Sequence, residues 1–142
     1  MKVTMLLADA AQAVEGKLYI LGGGWSLTGP DPSPMALAIK IEVPWTEANT
    51  KHQLRVALYD EDGQPIIIPT PTGEQPVEVK SYFEVGRPAG LQPGTPLDMP
   101  LAINFSPLPL QAGKRYVWRC FINDDLAEEV GFSSRPHPTP PT

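Results

Sequence analysis

The sequence predicts an all-β protein: a single antiparallel β-sandwich, immunoglobulin-like or C2-like, with about eight or nine strands. Short apolar runs alternate with polar residues at period two, turn residues bound each run, and no stretch carries a convincing helical period. The 18 prolines and 12 glycines fall between the apolar runs. One sandwich domain is expected over 1–134, followed by a mobile proline-rich tail over 135–142.

The first predicted strand, 3–8, is apolar on both faces. Such a strand is either covered on both sides or packs one face against a partner chain. Residues 10–14 are expected to form a turn of helix, and Glu15-Gly16 is a turn signal. A second strand over 17–21 then pairs with the first.

Three consecutive glycines, 22–24, end this second strand. They do not predict a phosphate-binding loop, because a Walker loop needs a following Lys-Ser/Thr pair and a dinucleotide fold needs a following helix. They indicate a bulge or a close approach that a Cβ would prevent. The glycines also break the strand alternation before Trp25. Trp25 and, on the strand itself, Tyr19 are therefore the candidate binding residues.

The later strands are separated by turn residues. An Asp-Gly turn is expected to join 54–59 and 64–68 as a hairpin, and the aromatic-rich run 116–122 is expected to be central. The longest irregular stretch, 86–100, is expected to be functional or to span one end of the sandwich. In chain order the later strands are predicted at 37–43, 54–59, 64–68, 77–85, 101–105, 116–122 and 126–133, with Leu126, Val130 and Phe132 facing inward.

The formal charge of −5 and the pI near 4.9 exclude two classes of partner. Nucleic-acid binding and electrostatic attraction to an anionic membrane both require a basic face. No apolar run is long enough to span a bilayer. The N-terminus imitates a signal peptide that ends at 11–13, but its apolar run is too short and cleavage would remove the first strand. A cytoplasmic location is expected.

The sequence predicts no enzyme and no cofactor. His52 opens a strand and His137 lies in the tail, so neither is set beside a nucleophile and an acid as a hydrolytic triad requires. One cysteine and two scattered histidines do not give zinc-ligand spacing. Cys120 lies in an alternating apolar run and is expected to be a core residue rather than a reactive thiol.

Two acidic turns form the candidate metal site. Each follows a predicted strand, so both could lie at one end of the sandwich and share a calcium ion through carboxylate oxygens. The other interpretation is two solvated hairpin turns, since Asp, Asn and Gly are the residues that such turns require. The four candidate ligands are Asp60, Asp62, Asp124 and Asp125.

Carbohydrate stacking on tryptophan is a further ligand hypothesis. Trp45 and Trp118 continue inward-facing stripes and are assigned to the core, which leaves Trp25 as the exposed candidate. A P-x-x-P match at 138–141 is interpreted as part of an unstructured end, because the tail is rich in proline throughout.

Three motifs resemble a family of small, uncharacterised bacterial proteins. They are Leu-Leu-Ala-Asp-Ala-Ala at 6–11 with Gly-Lys-Leu-Tyr-Ile-Leu-Gly-Gly-Gly-Trp at 16–25, the hairpin at 54–63, and the strand at 113–122. The triple glycine followed by tryptophan is typical of actinobacterial members. The resemblance extends from residue 1 to around residue 134 and implies a sandwich. The family has no assigned activity, so the resemblance carries over no site.

The sequence therefore favours a non-enzymatic interaction or accessory module, with a protein partner or a second copy of the chain as the expected ligand. The N-terminal strand supports this hypothesis, because a strand that is apolar on both faces would be satisfied by a partner strand. The alternative is a ligand-binding sandwich for carbohydrate or calcium, and a small-molecule enzyme comes third.

Overall fold

Alternating apolar side chains build two sheets around one core in the computed structural model, which describes residues 1–139. Within this range the structure contains 11 strands and one 3₁₀ turn, Trp45–Glu47. The strands are β1 (Lys2–Val14), β2 (Lys17–Gly23), β3 (Leu27–Thr28), β4 (Met35–Val43), β5 (His52–Asp60), β6 (Ile67–Thr70), β7 (Gly73–Pro76), β8 (Glu78–Phe83), β9 (Leu97–Phe105), β10 (Arg115–Ile122) and β11 (Asp125–Ser134).

The two main sheets have the strand orders β2-β1-β4-β9 and β3-β11-β10-β5-β8, and β6 with β7 forms a separate hairpin. Neighbouring strands within each sheet are antiparallel, except that β3 runs parallel to β11. The prediction of an all-β sandwich is confirmed. The strand count exceeds the predicted number because β3, β6 and β7 are too short to show a period-two pattern.

Aromatic residues of facing sheets close the core. Trp118 of β10 is fully buried and stacks on Phe105 of β9, with ring centroids 4.6 Å apart. β10 lies between β11 and β5, which confirms its predicted central position. Tyr116, at the start of β10, uses its hydroxyl twice: it accepts from Gln111 N at 2.9 Å and donates to Gln111 O at 3.2 Å.

The predicted turn of helix at 10–14 is wrong, because β1 continues without interruption to Val14. Glu15 and Gly16 have φ of 51° and 75°, so they form a two-residue turn whose twist matches a β-hairpin. Each residue of 10–14 has a cross-strand partner in β2. The helix propensity of the alanines is therefore overridden by strand pairing.

Three other features differ from the prediction: the orientation of one side chain and the extent of two strands. A bulge leaves Ala127 without a partner in the β10–β11 ladder. Leu126 is therefore paired with Phe121, points outward with it, and is exposed instead of facing inward as predicted. β9 begins at Leu97, and Pro100 is accommodated because β9 is an edge strand. The predicted return strand 64–68 is mostly replaced by an isolated bridge between Tyr59 and Pro65.

Candidate functional site

The most exposed apolar surface lies on a projecting hairpin, called here the arm (residues 10–24). β1 pairs with β4 only as far as Ala8, and beyond that point its neighbour in the sheet is β2. The arm carries four large apolar side chains that remain exposed: Leu21 (70%), Tyr19 (55%), Ile20 (42%) and Val14 (41%). Single exposed apolar residues are ordinary on a protein surface, whereas several on one short hairpin make it the candidate site.

The base of the arm lies against the outer face of the four-stranded sheet. Alanines on that face leave room for close approach, and Leu18 and Ala11 of the arm pack against them. Asn104 of β9 fixes the position: its Oδ1 accepts from Ala11 N at 3.2 Å and its Nδ2 donates to Ala11 O at 2.8 Å. The arm is therefore held at its base, while its far side faces solvent. The buried alanines are Ala8, Ala11, Ala36 and Ala38.

The triple glycine ends the arm through close packing, as the sequence predicts. Gly22 has φ +59°, and a Cβ there would overlap the Asp9 carboxylate. A Cβ at Gly23 would lie 2.6 Å from Ile20 Cγ2. Gly24, at φ +88°, donates its amide to Leu7 O at 2.7 Å and returns the chain toward the core. Only glycine fits these positions without strain.

The structure separates the two candidate binding residues. Tyr19 stands on the arm, beside a shallow groove that Ala11, Ile20 and Asn104 also line. Trp25 is half-buried against the core and meets Phe132 edge-on, with ring centroids 5.9 Å apart. Its indole N–H is buried and finds no acceptor among residues 1–139. The groove and the tryptophan therefore do not form one site.

Sequence reasoning missed Ile20, Leu21, Val14 and Asn104 as members of the site. A signal existed for the first two: Tyr19, Ile20 and Leu21 are consecutive large apolar residues in a strand, so they occupy both of its faces. One face alone can pack on the sheet. The contribution of Asn104 depends on a contact across 93 residues and has no local signal.

The prediction that both acidic turns lie at one end of the sandwich is wrong. β5 and β10 are antiparallel neighbours, with Tyr116 opposite Asp60 and Ile122 opposite Leu54. The turn after β5 therefore lies at one end of the strands, and the turn at Asn123-Asp124 lies at the other. Asp60 and Asp62 cannot share an ion with Asp124 and Asp125, and residues 1–139 contain no group of three His, Cys, Asp or Glu placed to hold a metal.

Two side chains of these turns, Asp60 and Asn123, accept hydrogen bonds from the main chain. Asp60 Oδ1 accepts from the amides of Asp62 and Gln64, each at 2.9 Å. Asn123 Oδ1 accepts from Gln53 N at 2.9 Å. The Asp60 bonds are typical of an Asx-stabilised turn, whereas the Asn123 bond joins the second turn to β5.

The remaining titratable candidates have structural surroundings. His52 is buried, with Nε2 2.9 Å from Glu47 O and Nδ1 3.1 Å from Asn123 Nδ2, so both ring nitrogens have structural hydrogen-bond partners. His137 lies at the surface, 3.9 Å from Asp31. Cys120 is buried, and burial, with a smaller contribution from the charge of Glu128, raises the pKa of its thiol to about 11.

The other tryptophans and the tail complete the candidate set. Trp118 is a core residue, as expected. Trp45 is partly buried and has the guanidinium of Arg87 4.7 Å above its ring. The P-x-x-P match at 138–141 extends into residues 140–142, which lie outside the described residues.

Among the four edge strands of the two main sheets, β2 differs from the other three. β9 carries Pro100 and Asp98, β8 carries Glu78 and Lys80, and β3 is only two residues long. Prolines, charges and shortness are the devices that keep edges from pairing with other chains. β2 is seven residues long, with Lys17 at its first position and no proline, and no strand within residues 1–139 pairs with its outer side.

Comparison with known proteins places the chain among its relatives. No helix in the described part is long and apolar enough to cross a membrane. No curated protein matches the sequence. A family model described as a family of unknown function, DUF6941, matches residues 3–133, which agrees with the uncharacterised family expected from the motifs. The chain therefore belongs to DUF6941, a family of unknown function.

Proposed function

We propose that this domain is a non-enzymatic interaction module and that the arm is its contact surface. The observation that carries the proposal is the coincidence, on one hairpin, of exposed apolar side chains and an unprotected strand edge. Either feature alone is common. Together they supply the two components of strand addition: main-chain hydrogen bonds for affinity and side-chain contacts for specificity.

The construction of the arm supports this proposal. A flexible segment loses conformational entropy when it binds, whereas a segment already held in its bound shape does not. The Asn104 amide, the packing of Leu18 on the alanines and the rigid Glu15-Gly16 turn hold the arm before any partner arrives. Preorganisation of this kind favours binding over a purely structural role for the exposed residues.

The immunoglobulin-like subtype belongs to the same proposal. If β1, β4, β5, β8, β9, β10 and β11 are taken as A, B, C, C′, E, F and G, the sheets have the orders A-B-E and G-F-C-C′. Tyr116 supports this assignment, because a tyrosine at the start of strand F that bonds to the backbone a few residues upstream is a mark of such sandwiches. Many members of that class are binding domains.

A cytoplasmic location is also proposed. The single cysteine is buried and cannot form an internal disulfide, as is usual for proteins of reducing compartments. The acidic charge gives no affinity for anionic membranes.

Photo-crosslinking tests the contact surface. Tyr19→p-benzoylphenylalanine is compared in the native cell with the same replacement of Tyr82, which is slightly more exposed (62% against 55%) but lies on β8 of the other sheet. We expect a discrete crosslinked product from position 19 and only background from position 82. Equal products from both positions, or none from position 19, would contradict the proposal.

A further inference from the structure

We infer that the partner of the arm is a second copy of this chain, which pairs β2 with β2 in antiparallel fashion about a two-fold axis at Tyr19. This inference rests on the proposed function and identifies the partner that binds the arm. Pairing of like edges gives a closed, isologous contact. The other edge of the same sheet carries Pro100, so pairing stops at two copies instead of continuing into a filament.

The charges of the arm permit two copies to meet. The chain as a whole carries −5, yet residues 10–24 contain only Glu15 and Lys17 and are neutral in sum. In an antiparallel pair centred on Tyr19, the two Lys17 side chains lie at opposite ends of the contact. Each Lys17 lies opposite the partner's Leu21. The partner's Asp9 is at the same end of the contact, on the partner's β1. The two lysines are therefore separated, and the neutral arm brings no excess charge to oppose pairing.

The hydrogen-bonding pattern of the hairpin selects this register. Val14 and Lys17 close a two-residue turn and bond to each other, so bonding alternates along β2 and the main-chain groups of Leu18 and Ile20 point to the free edge. A contact centred on Tyr19 places Leu18 of each copy opposite Ile20 of the other. The free N–H and C=O groups of Leu18 and Ile20 in both copies then bond across the contact. A contact centred on Ile20 would require Gly22, whose φ of +59° departs from the extended conformation.

The small size of the surface favours a weak dimer. One short edge and the exposed arm side chains provide less than the ~800 Å² per partner of a standard interface. A weak, concentration-dependent dimer with a dissociation constant in the micromolar range is expected rather than an obligate one. A covalent trap is therefore the appropriate test.

The test uses single-cysteine replacements and mild oxidation of the whole chain. Tyr19 opposite the partner's Tyr19 is a non-hydrogen-bonded pair, for which Cα atoms lie about 4.5 Å apart and within disulfide range. Tyr19→Cys should give at least about tenfold more covalent dimer than Leu21→Cys, since the latter's two sulfurs would be too far apart. Leu21→Cys mixed with Lys17→Cys should form the mixed dimer. The unmodified chain, whose Cys120 is buried, is the background control.

Ile20→Pro supplies an independent check. Its lost amide points to the free edge, so the hairpin keeps its internal bonds while the partner strand loses a donor, and Tyr19→Cys in this background should no longer crosslink. Equal self-crosslinking at 19 and 21, or none at 19, would overturn the inference. If position 19 then still photo-crosslinks to a different protein, the arm remains a contact surface and only the identity of the partner is wrong.

Discussion

Asn104 and Ala11 are 93 positions apart in the chain, yet the side-chain amide of the first pairs with the main-chain amide of the second as two neighbouring strands would. Oδ1 accepts at 3.2 Å and Nδ2 donates at 2.8 Å. Together with the packing of Leu18 on the alanines, this pair gives the hairpin a defined position. The arm and the body of the sandwich meet at this contact.

Replacing Asn104 by Ala should loosen the arm. Two hydrogen bonds to half-buried main-chain groups are lost, so we expect a decrease of about 1–2 kcal/mol in the free energy of unfolding. Amide exchange over 10–24 should accelerate by more than that in the rest of the sheet. Urea denaturation and hydrogen exchange measure these effects. Gln75→Ala, on the exposed β7, should change neither, and unchanged exchange in the arm of Asn104→Ala would show that the contact is dispensable.

Tyr116→Phe should destabilise the fold by about 1–2 kcal/mol. The hydroxyl satisfies both the N–H and the C=O of Gln111, and phenylalanine leaves them without these partners in a partly buried site. Thermal or urea unfolding measures the loss. Tyr82→Phe removes an exposed hydroxyl and serves as the matched control. Equal stability of the two variants would exclude a structural role for the Tyr116 hydroxyl.

Cys120 should make the stability depend on pH in alkaline solution. Its pKa is raised from 9.0 to about 11 in the folded protein, firstly by burial and secondly by Glu128. The folded state therefore disfavours the thiolate, and this costs stability as pH rises from 9 toward 11 while leaving it unaffected below pH 9. The loss amounts to about 2–3 kcal/mol at most.

The measurement for Cys120 is urea unfolding between pH 8 and pH 11. Cys120→Ala is expected to be less stable at pH 8, because it leaves a small cavity, but to lose less stability across this window. Parallel curves for the two proteins would contradict the assignment. Thiol-reactive reagents should also label the folded chain at pH 8 far more slowly than the unfolded chain, because the reactive thiolate is scarce and covered.

Gly22→Ala should be destabilising by more than about 1 kcal/mol, because it combines a left-handed φ with a clash against Asp9. Gly29→Ala, with open space and no positive φ, is the control. Combining Gly22→Ala with Asp9→Ala should recover the part that is due to the clash. A double-mutant cycle without coupling would show that the backbone conformation alone requires glycine.

The fold was predictable because its causes are local. Runs such as 37–43 and 116–122 carry an apolar residue at every second position. A strand with one buried face requires this pattern, so the sequence reveals it. The Glu15-Gly16 turn and the packing role of 22–24 were also readable, since both depend on backbone conformations that few residues adopt. A single bulge was enough to reverse Leu126, because parity changes at each inserted residue.

The site was predictable only in part. Tyr19 lies on the arm, but the alanines at 10–13 suggested a helix, and their strand conformation comes from pairing with β2 and from Asn104. The acidic turns were placed together because each follows a strand. Their actual separation depends on which strands are neighbours, and that information lies in the assembled sheets rather than in any segment.

The Asn104 contact has a consequence for how such proteins diverge. The amide recognises the main chain at position 11 and makes no hydrogen bond to the side chains that the arm displays. Substitutions at Tyr19, Ile20 and Leu21 therefore leave this contact intact and, under the proposed contact role, would alter only what the arm binds. Under the proposed contact role, a few substitutions on the arm would change its specificity while the scaffold stays the same.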